Sequence, residues 1–251
     1  MNRHFLIYIL LGALLIPSTA EAQRWKLRRY EAGIGIGTVT SFTDIGSPDF
    51  GLTTFFDTRF NACSHLGFLI LEDLSVKLDL NYLMIGASDP ETRDRALSFT
   101  SHGFEHAVRV DYTFLGGGRT FSSATFNRRG MVNNFGTAYL YVFAGAGGIL
   151  TKATVKDANG EEDIGNIGYS NNMHWGAVIP AGIGFRVSID AYFDLVLEVG
   201  GRYTFTDWID GYKTEFSQYD DRYIITSVKA AYKIRNDRRG RPFLFIKHDR
   251  W

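Results

Sequence analysis

The stretch Phe193 to Asp210, FDLVLEVGGRYTFTDWID, restricts the fold more than any other. In an extended chain Leu195, Leu197, Val199, Tyr203 and Phe205 fall on one side, and Glu198, Gly200, Arg202 and Thr204 on the other. Successive residues of a strand show opposite faces, so this is a strand with one apolar face and one polar, ionic face. Two architectures accept such a strand. In a secreted soluble sandwich the apolar face is core and the polar face is wet. In a membrane barrel the apolar face meets lipid and the ionic face is enclosed.

The N-terminus bears on the compartment. Arg3 and His4 precede an apolar run, Phe5 to Ile16, and Pro17 to Ala22 ends in an A-x-A site. That is the layout of a secretory signal peptide cleaved after Ala22. The run falls short of the roughly 20 apolar residues that a membrane helix needs, and no later segment reaches that length. The organisation expected is a signal peptide over 1–22, an outer-membrane β-barrel over 23–234 and a basic, aromatic tail over 235–251. Lys+Arg and Asp+Glu both number 27, and this neutral balance argues against a nucleic-acid partner. The lone Cys63 cannot form an intramolecular disulfide.

Seven more segments read as strands: Tyr30 to Thr40, Leu52 to Ala62, Leu74 to Gly86, Ser98 to Leu115, Thr137 to Leu150, Met173 to Ile189 and Arg222 to Ile234. Cys63 to Asp73 either extends the second strand or forms a turn. Pro180 cannot donate to a ladder, which predicts a bulge or an edge there. Strands of about 10 residues cross a bilayer at a tilt, and an even number returns both chain ends to one side. The expected fold is therefore an all-β, eight-stranded antiparallel up-and-down transmembrane β-barrel. Eight strands enclose a space that side chains just fill. Arg59, Lys77, Asp79, Glu105, Arg109, Glu198 and Arg202 would then pair inside as an ionic network. Gly116 to Gly136 is too long for an ordinary turn on the periplasmic side. Binding is a sufficient reason for it, with Arg119, Arg128 and Arg129 as candidate docking residues.

Several runs carry a family resemblance. They are Arg24-Trp25 leading to Tyr30-Glu31-Ala-Gly-Ile-Gly-Ile-Gly, Leu97-Ser98-Phe99 running into Phe104-Glu105, Ala138 to Gly145, and Ile179 to Gly184. The most specific is Leu197-Glu198-Val-Gly-Gly-Arg202-Tyr203-Thr-Phe-Thr-Asp207-Trp-Ile-Asp210. Over nearly the whole mature chain these resemble the PorG-like family (DUF6089-type proteins), the outer-membrane barrel component of the type IX secretion system. Ala138 stands where that family's pattern has Pro, and the stretches Ala62 to Asp73 and Gly116 to Gly136 exceed its usual turns. The resemblance implies a non-enzymatic barrel in outer-membrane lipid that contacts periplasmic secretion-system proteins, a ring lipoprotein among them, and no cofactor.

Glu105 and Arg109, like Glu198 and Arg202, share a strand face, as a switchable ionic gate, a catalytic carboxylate or packed interior salt bridges, and buried charges survive only when paired. The histidines lack metal-ligand spacing, so no metal is expected. Ser170 and His174 stand close enough in sequence for a hydrolytic pair on a lipid-A-modifying barrel, but no carboxylate orienter is evident. Asp207, Trp208 and Asp210 are either a binding rim or part of an aromatic girdle. The tail, with Arg238, Arg239, Arg241, Phe243, Phe245 and Trp251, is either a solvated end or a docking segment that adds a strand to a partner. A stand-alone barrel acting in adhesion or membrane integrity through surface loops is the alternative function.

Overall fold

The computed structural model describes residues 28–43, 45, 57–89, 97–116, 126–127, 130–131, 138–156, 170, 172–190, 192–211, 221–236 and 242. The expected signal peptide, most of the long connection and most of the tail lie outside these residues. So do the docking candidates Arg119, Arg128, Arg129, Arg238, Arg239, Arg241, Phe243, Phe245 and Trp251.

The strands are β1 (Tyr30–Phe42), β2 (Arg59–Leu69), β3 (Leu74–Ser88), β4 (Ser98–Leu115), the short pair β5 (Phe126–Asn127) and β6 (Gly130–Met131), then β7 (Ala138–Lys156), β8 (Met173–Ser188), β9 (Phe193–Thr204) and β10 (Arg222–Ile234). Eight of them close a barrel in the order β1-β10-β9-β8-β7-β4-β3-β2. Every pairing around the barrel is antiparallel and, apart from the closure of β1 on β10, joins strands that follow one another around the wall. The fold is therefore an eight-stranded up-and-down barrel that crosses a membrane. We call the end where β1 starts and β10 finishes the near end, and the other the far end.

Alternation decides which way each side chain points. On β9 Asp194, Val196, Glu198, Arg202 and Thr204 are buried inside, while Phe193, Leu195, Leu197, Val199 and Tyr203 face out. On β4 Glu105, Arg109 and Asp111 are enclosed, and Phe104, Val108, Val110, Tyr112 and Phe114 are exposed. A contiguous outer belt of large apolar side chains would be untenable in water. Around an ionic interior it is the arrangement of a lipid-embedded barrel.

Toward the far end this polarity inverts. Inside, Leu83, Ile85, Phe99, Ile149, Val155, Val178 and Ile225 form one buried apolar cluster. Outside, Thr100, His102, Lys152 and Lys156 are exposed. The strands thus run past the lipid belt, and their outer ends fold like a small soluble barrel around an apolar core. Ile45 and Ile209, from the two loops outside β1 and β9, complete that core and are both 0% exposed.

Three segment readings need correction. The second strand is Arg59–Leu69 rather than Leu52 to Ala62, and 52–56 fall outside the described residues. Cys63 to Leu69 extends the strand; its apolar run stops alternating where the chain turns and Ile70 N–H bonds to Leu74 O at 2.9 Å. The fifth segment continues beyond Leu150 to Lys156. In those last residues inside and outside have exchanged polarity, so the sequence there looks polar although the strand continues. Pro180 causes no bulge, since the register with β7 is the same at Ala144↔Ala181 and Gly147↔Val178, but the β7–β8 pairing is interrupted between those positions, where Pro180 lies. The β4–β7 ladder shifts register between Thr113 and Leu115.

Candidate functional site

The lumen is the only place where this chain gathers enclosed chemistry among its described residues, and it is built in layers. In the middle layer Arg109, 0% exposed, reaches three carboxylates. Its Nη1 lies 3.0 Å from Asp79 Oδ2, its Nε 3.0 Å from Asp111 Oδ1, and its Nη1 and Nη2 donate to Glu198 at 3.0 and 2.5 Å. Lys229 Nζ also donates to Glu198, at 2.5 Å, as does the Tyr141 hydroxyl. Lys77 Nζ sits 3.0 Å from Asp111. Three cations therefore face three carboxylates, the condition under which buried charge survives. The Arg109 guanidinium also lies over the Phe143 ring, 4.3 Å from its centroid.

One layer toward the far end, Glu105 accepts from Asn81 Nδ2 at 2.8 Å, the Tyr223 hydroxyl at 2.5 Å and Arg202 Nε at 3.3 Å. The two ion pairs on one strand face are thus exchanged across the barrel. Arg109 of β4 meets Glu198 of β9, and Arg202 of β9 meets Glu105 of β4. Residues four apart on a strand are roughly 13 Å apart along it, too far to pair with each other.

Toward the near end, Glu31 takes both Nη groups of Arg186, one at 2.9 Å, together with His65 Nε2 at 2.8 Å. Lys77 Nζ is 3.1 Å from the same carboxylate. Asp194 gathers Lys233 Nζ at 2.7 Å, Ser188 Oγ at 2.8 Å and Tyr139 Oη at 3.0 Å. A recess of about 70 Å³ opens here among Arg28, Glu31, Lys77, Asp111, Tyr139 and Arg186, with room for a few waters. Just outside, in the β8–β9 turn, the backbone N–H groups of Tyr192 and Phe193 donate to Asp190 at 2.6 and 2.7 Å. They hold its carboxyl below the usual aspartate range.

The far end is shut. Ile45 and Ile209 fill the apolar core, and the polar residues of the cap tie them down. Ile45 N–H donates to Asp210 Oδ2 at 3.3 Å, and Ile209 N–H to Asp221 Oδ2 at 2.9 Å. Thr204 Oγ1 donates to Asp221 O at 2.5 Å.

Of the seven residues expected in the ionic network, Lys77, Asp79, Glu105, Arg109, Glu198 and Arg202 are brought together. Arg59 is not: it has the inward parity but opens β2 at the far rim, where it is exposed. It stands beside Asp57, whose carboxyl burial pushes above its usual range. Reasoning from sequence missed Glu31, His65, Asp111, Arg186, Asp194 and Lys229, although each shares the inward face of its strand. Tyr203 faces out, whereas Asp207 and Asp210 are buried in the cap. Trp208 stacks on His174 with ring centroids 4.6 Å apart. Ser170 Oγ and His174 Nε2 do meet, at 2.8 Å. Among the described residues no carboxylate orients His174, and no group of His, Cys, Asp and Glu could hold a metal.

No protein-family model matches the chain, and no curated protein does. Among solved structures it is similar to the N-terminal β-barrel domain of Pseudomonas aeruginosa OprF, at 12% identity over 82% of this chain and 97% of that one, with a TM-score of 0.41. It is similar to Neisserial surface protein A at 12% identity, over 81% and 96% of the two chains, with a TM-score of 0.40. It is also similar to Ail, the attachment invasion locus protein of Yersinia pestis, at 11% identity, over 82% and 97%, with a TM-score of 0.40.

Proposed function

We infer that this protein is a non-conducting, non-enzymatic barrel of the outer membrane that anchors periplasmic components of a protein-secretion machine. One observation carries the reading: among the described residues, ion pairs occupy the lumen within the lipid belt and a buried apolar cluster occupies it beyond. A filled eight-stranded barrel passes neither proteins nor solutes. Its function then lies on its ends. With an even strand count the near end faces the periplasm. There the charged recess opens and both the long connection and the tail emerge. The resemblance of the Glu198 to Asp210 run to the PorG-like family supports a type IX secretion apparatus as the machine.

A second reading has its own support. The far-end strands rise past the belt as a rigid, apolar-cored platform, which suits a stand-alone barrel presenting surface loops. Capture of periplasmic proteins on the full-length barrel, and on barrels lacking 116–136 or 235–251, separates the two. Anchoring requires specific periplasmic partners, and their loss from at least one deletion. Equal capture by all three forms refutes the docking role. A lipid profile unchanged by His174→Ala is expected of a barrel without enzymatic activity.

A further inference from the structure

On the lipid-facing wall, β8, β9 and β10 form a notch. Two rungs of the ladder build it. The outer rung runs Phe42, Arg222, Tyr203, Ile179, and the next one inward runs Thr40, Ile224, Gly201, Ala181. Ile179 and Tyr203 of the first rung stand over Ala181 and Gly201 of the second, with Ile224 on the far flank, leaving an open, mostly apolar groove of about 570 Å³. Gly201 sits at its floor, and a Cβ there would meet nothing within 4 Å. Glycine is thus not demanded by close packing at this point, unlike at Gly184, where a Cβ would run into the Tyr141 ring.

The upper edge carries charge. Arg222 is exposed at the start of β10, and its guanidinium lies over the Tyr203 ring, 5.1 Å from its centroid. The neighbouring Asp221 turns inward to the cap, where it is 2% exposed. Tyr203 packs edge-on against Phe205 at 5.2 Å, an aromatic pair at the level where a barrel meets the headgroups. A cation at the headgroup level above an apolar groove in the lipid belt matches a molecule with a phosphate above acyl chains.

We propose that this notch is a binding site for a phosphorylated, multiply acylated lipid of the outer leaflet, of the lipid A class. One acyl chain lies over Gly201 and Ala181, and a phosphate is held by Arg222. The proposal rests on the outer-membrane reading above but not on the anchoring role. The bilayer covers this wall in any case; what the site adds is retention of one lipid type, through the charge at its rim and the shape below it.

The test is native mass spectrometry of the full mature chain in detergent micelles, titrated with bisphosphorylated lipid A or with its dephosphorylated form. Wild type is expected to retain the phosphorylated form at least about fivefold better, the worth of one interfacial arginine. Arg222→Gln removes that preference. Gly201→Leu fills the notch and lowers retention of both forms. Neither change touches the lumen, and heat-modifiable gel mobility verifies that each variant is folded. Equal retention of the two lipids by wild type overturns the proposal, as does wild-type behaviour of either folded variant. If Gly201→Leu does not fold, the phosphorylated-to-dephosphorylated ratio of wild type against Arg222→Gln decides alone. Loss of lipid retention with partner capture intact leaves the anchoring role standing.

Discussion

Arg109→Met is the sharpest perturbation of the lumen. It removes the guanidinium that Asp79, Asp111 and Glu198 share and leaves three carboxylates to two ammoniums, Lys77 and Lys229. Removing one partner of a buried pair costs about 3–5 kcal/mol, because an uncompensated charge stays behind. Methionine fills much of the volume, so the cavity contribution is small and the loss is mainly electrostatic. The assay is urea-dependent folding of the mature chain in micelles, with the folded fraction read from heat-modifiable gel mobility. With a urea dependence of about 1–3 kcal/mol per molar, the midpoint should fall by about 1 M or more. Arg109→Lys keeps the charge, but an ammonium lacks the fork that reaches three acceptors, so an intermediate loss is expected. Glu198→Leu on the Arg109→Met background should cost less than the two single changes added together, by about 0.5–3 kcal/mol. Arg59→Met, at the exposed rim, is the control and should stay within about 0.5 kcal/mol of wild type. If Arg109→Met behaves like Arg59→Met, the network does not hold the barrel together.

Three further outcomes are expected. Cys63 is 6% exposed on the inward face of β2, so a maleimide should leave it unmodified in the folded barrel and label it once urea unfolds the chain. Gly184→Val should fail to fold, because its side chain occupies the space of the Tyr141 ring; folded protein in wild-type yield would contradict that packing. Asp190 has its carboxyl held low by two backbone N–H groups, so its contribution is complete at neutral pH and disappears as acidification passes below its folded-state value. The stabilities of wild type and Asp190→Ala should therefore converge in strong acid and differ at neutral pH, and a constant difference across the range would contradict the assignment.

What the sequence reveals follows the reach of local pattern. The β4 and β10 boundaries, and the inward face of β9, could be read from alternation because period two is a property of neighbouring residues. Glu198 and Arg202 were recognisable as enclosed for the same reason. Their partners were not: Arg109 and Glu198 lie 89 residues apart, and which carboxylate meets which guanidinium depends on closure and register. Arg59 shows the limit of parity, which gives a side but not a depth. The far end is illegible from pattern for a further reason. From Thr151 to Lys156 the strand keeps its alternation, but Ala153 and Val155 point inward while Lys152 and Lys156 point out. A rule tuned to an apolar outside and an ionic inside sees only a polar loop there.

That inversion also bears on how the barrel is used. A lumen meant to open would keep its barrier in groups that can exchange partners at modest cost, and the ionic layers alone would meet that description. The apolar cap does not. Opening it would expose Ile45, Ile209 and the cluster beneath them to water, at about 1.5–3 kcal/mol for each large apolar side chain. It would also break the tethers at Asp210 and Asp221. Two unlike seals in series, one electrostatic and one hydrophobic, do not yield to the same trigger, so a change that loosens one leaves the other closed. Double substitution should therefore be needed for conductance. Arg109→Met alone should show no ionic current in a planar bilayer, and Ile209→Asp alone should show none, whereas current through either single variant would mean that one seal carries the whole barrier.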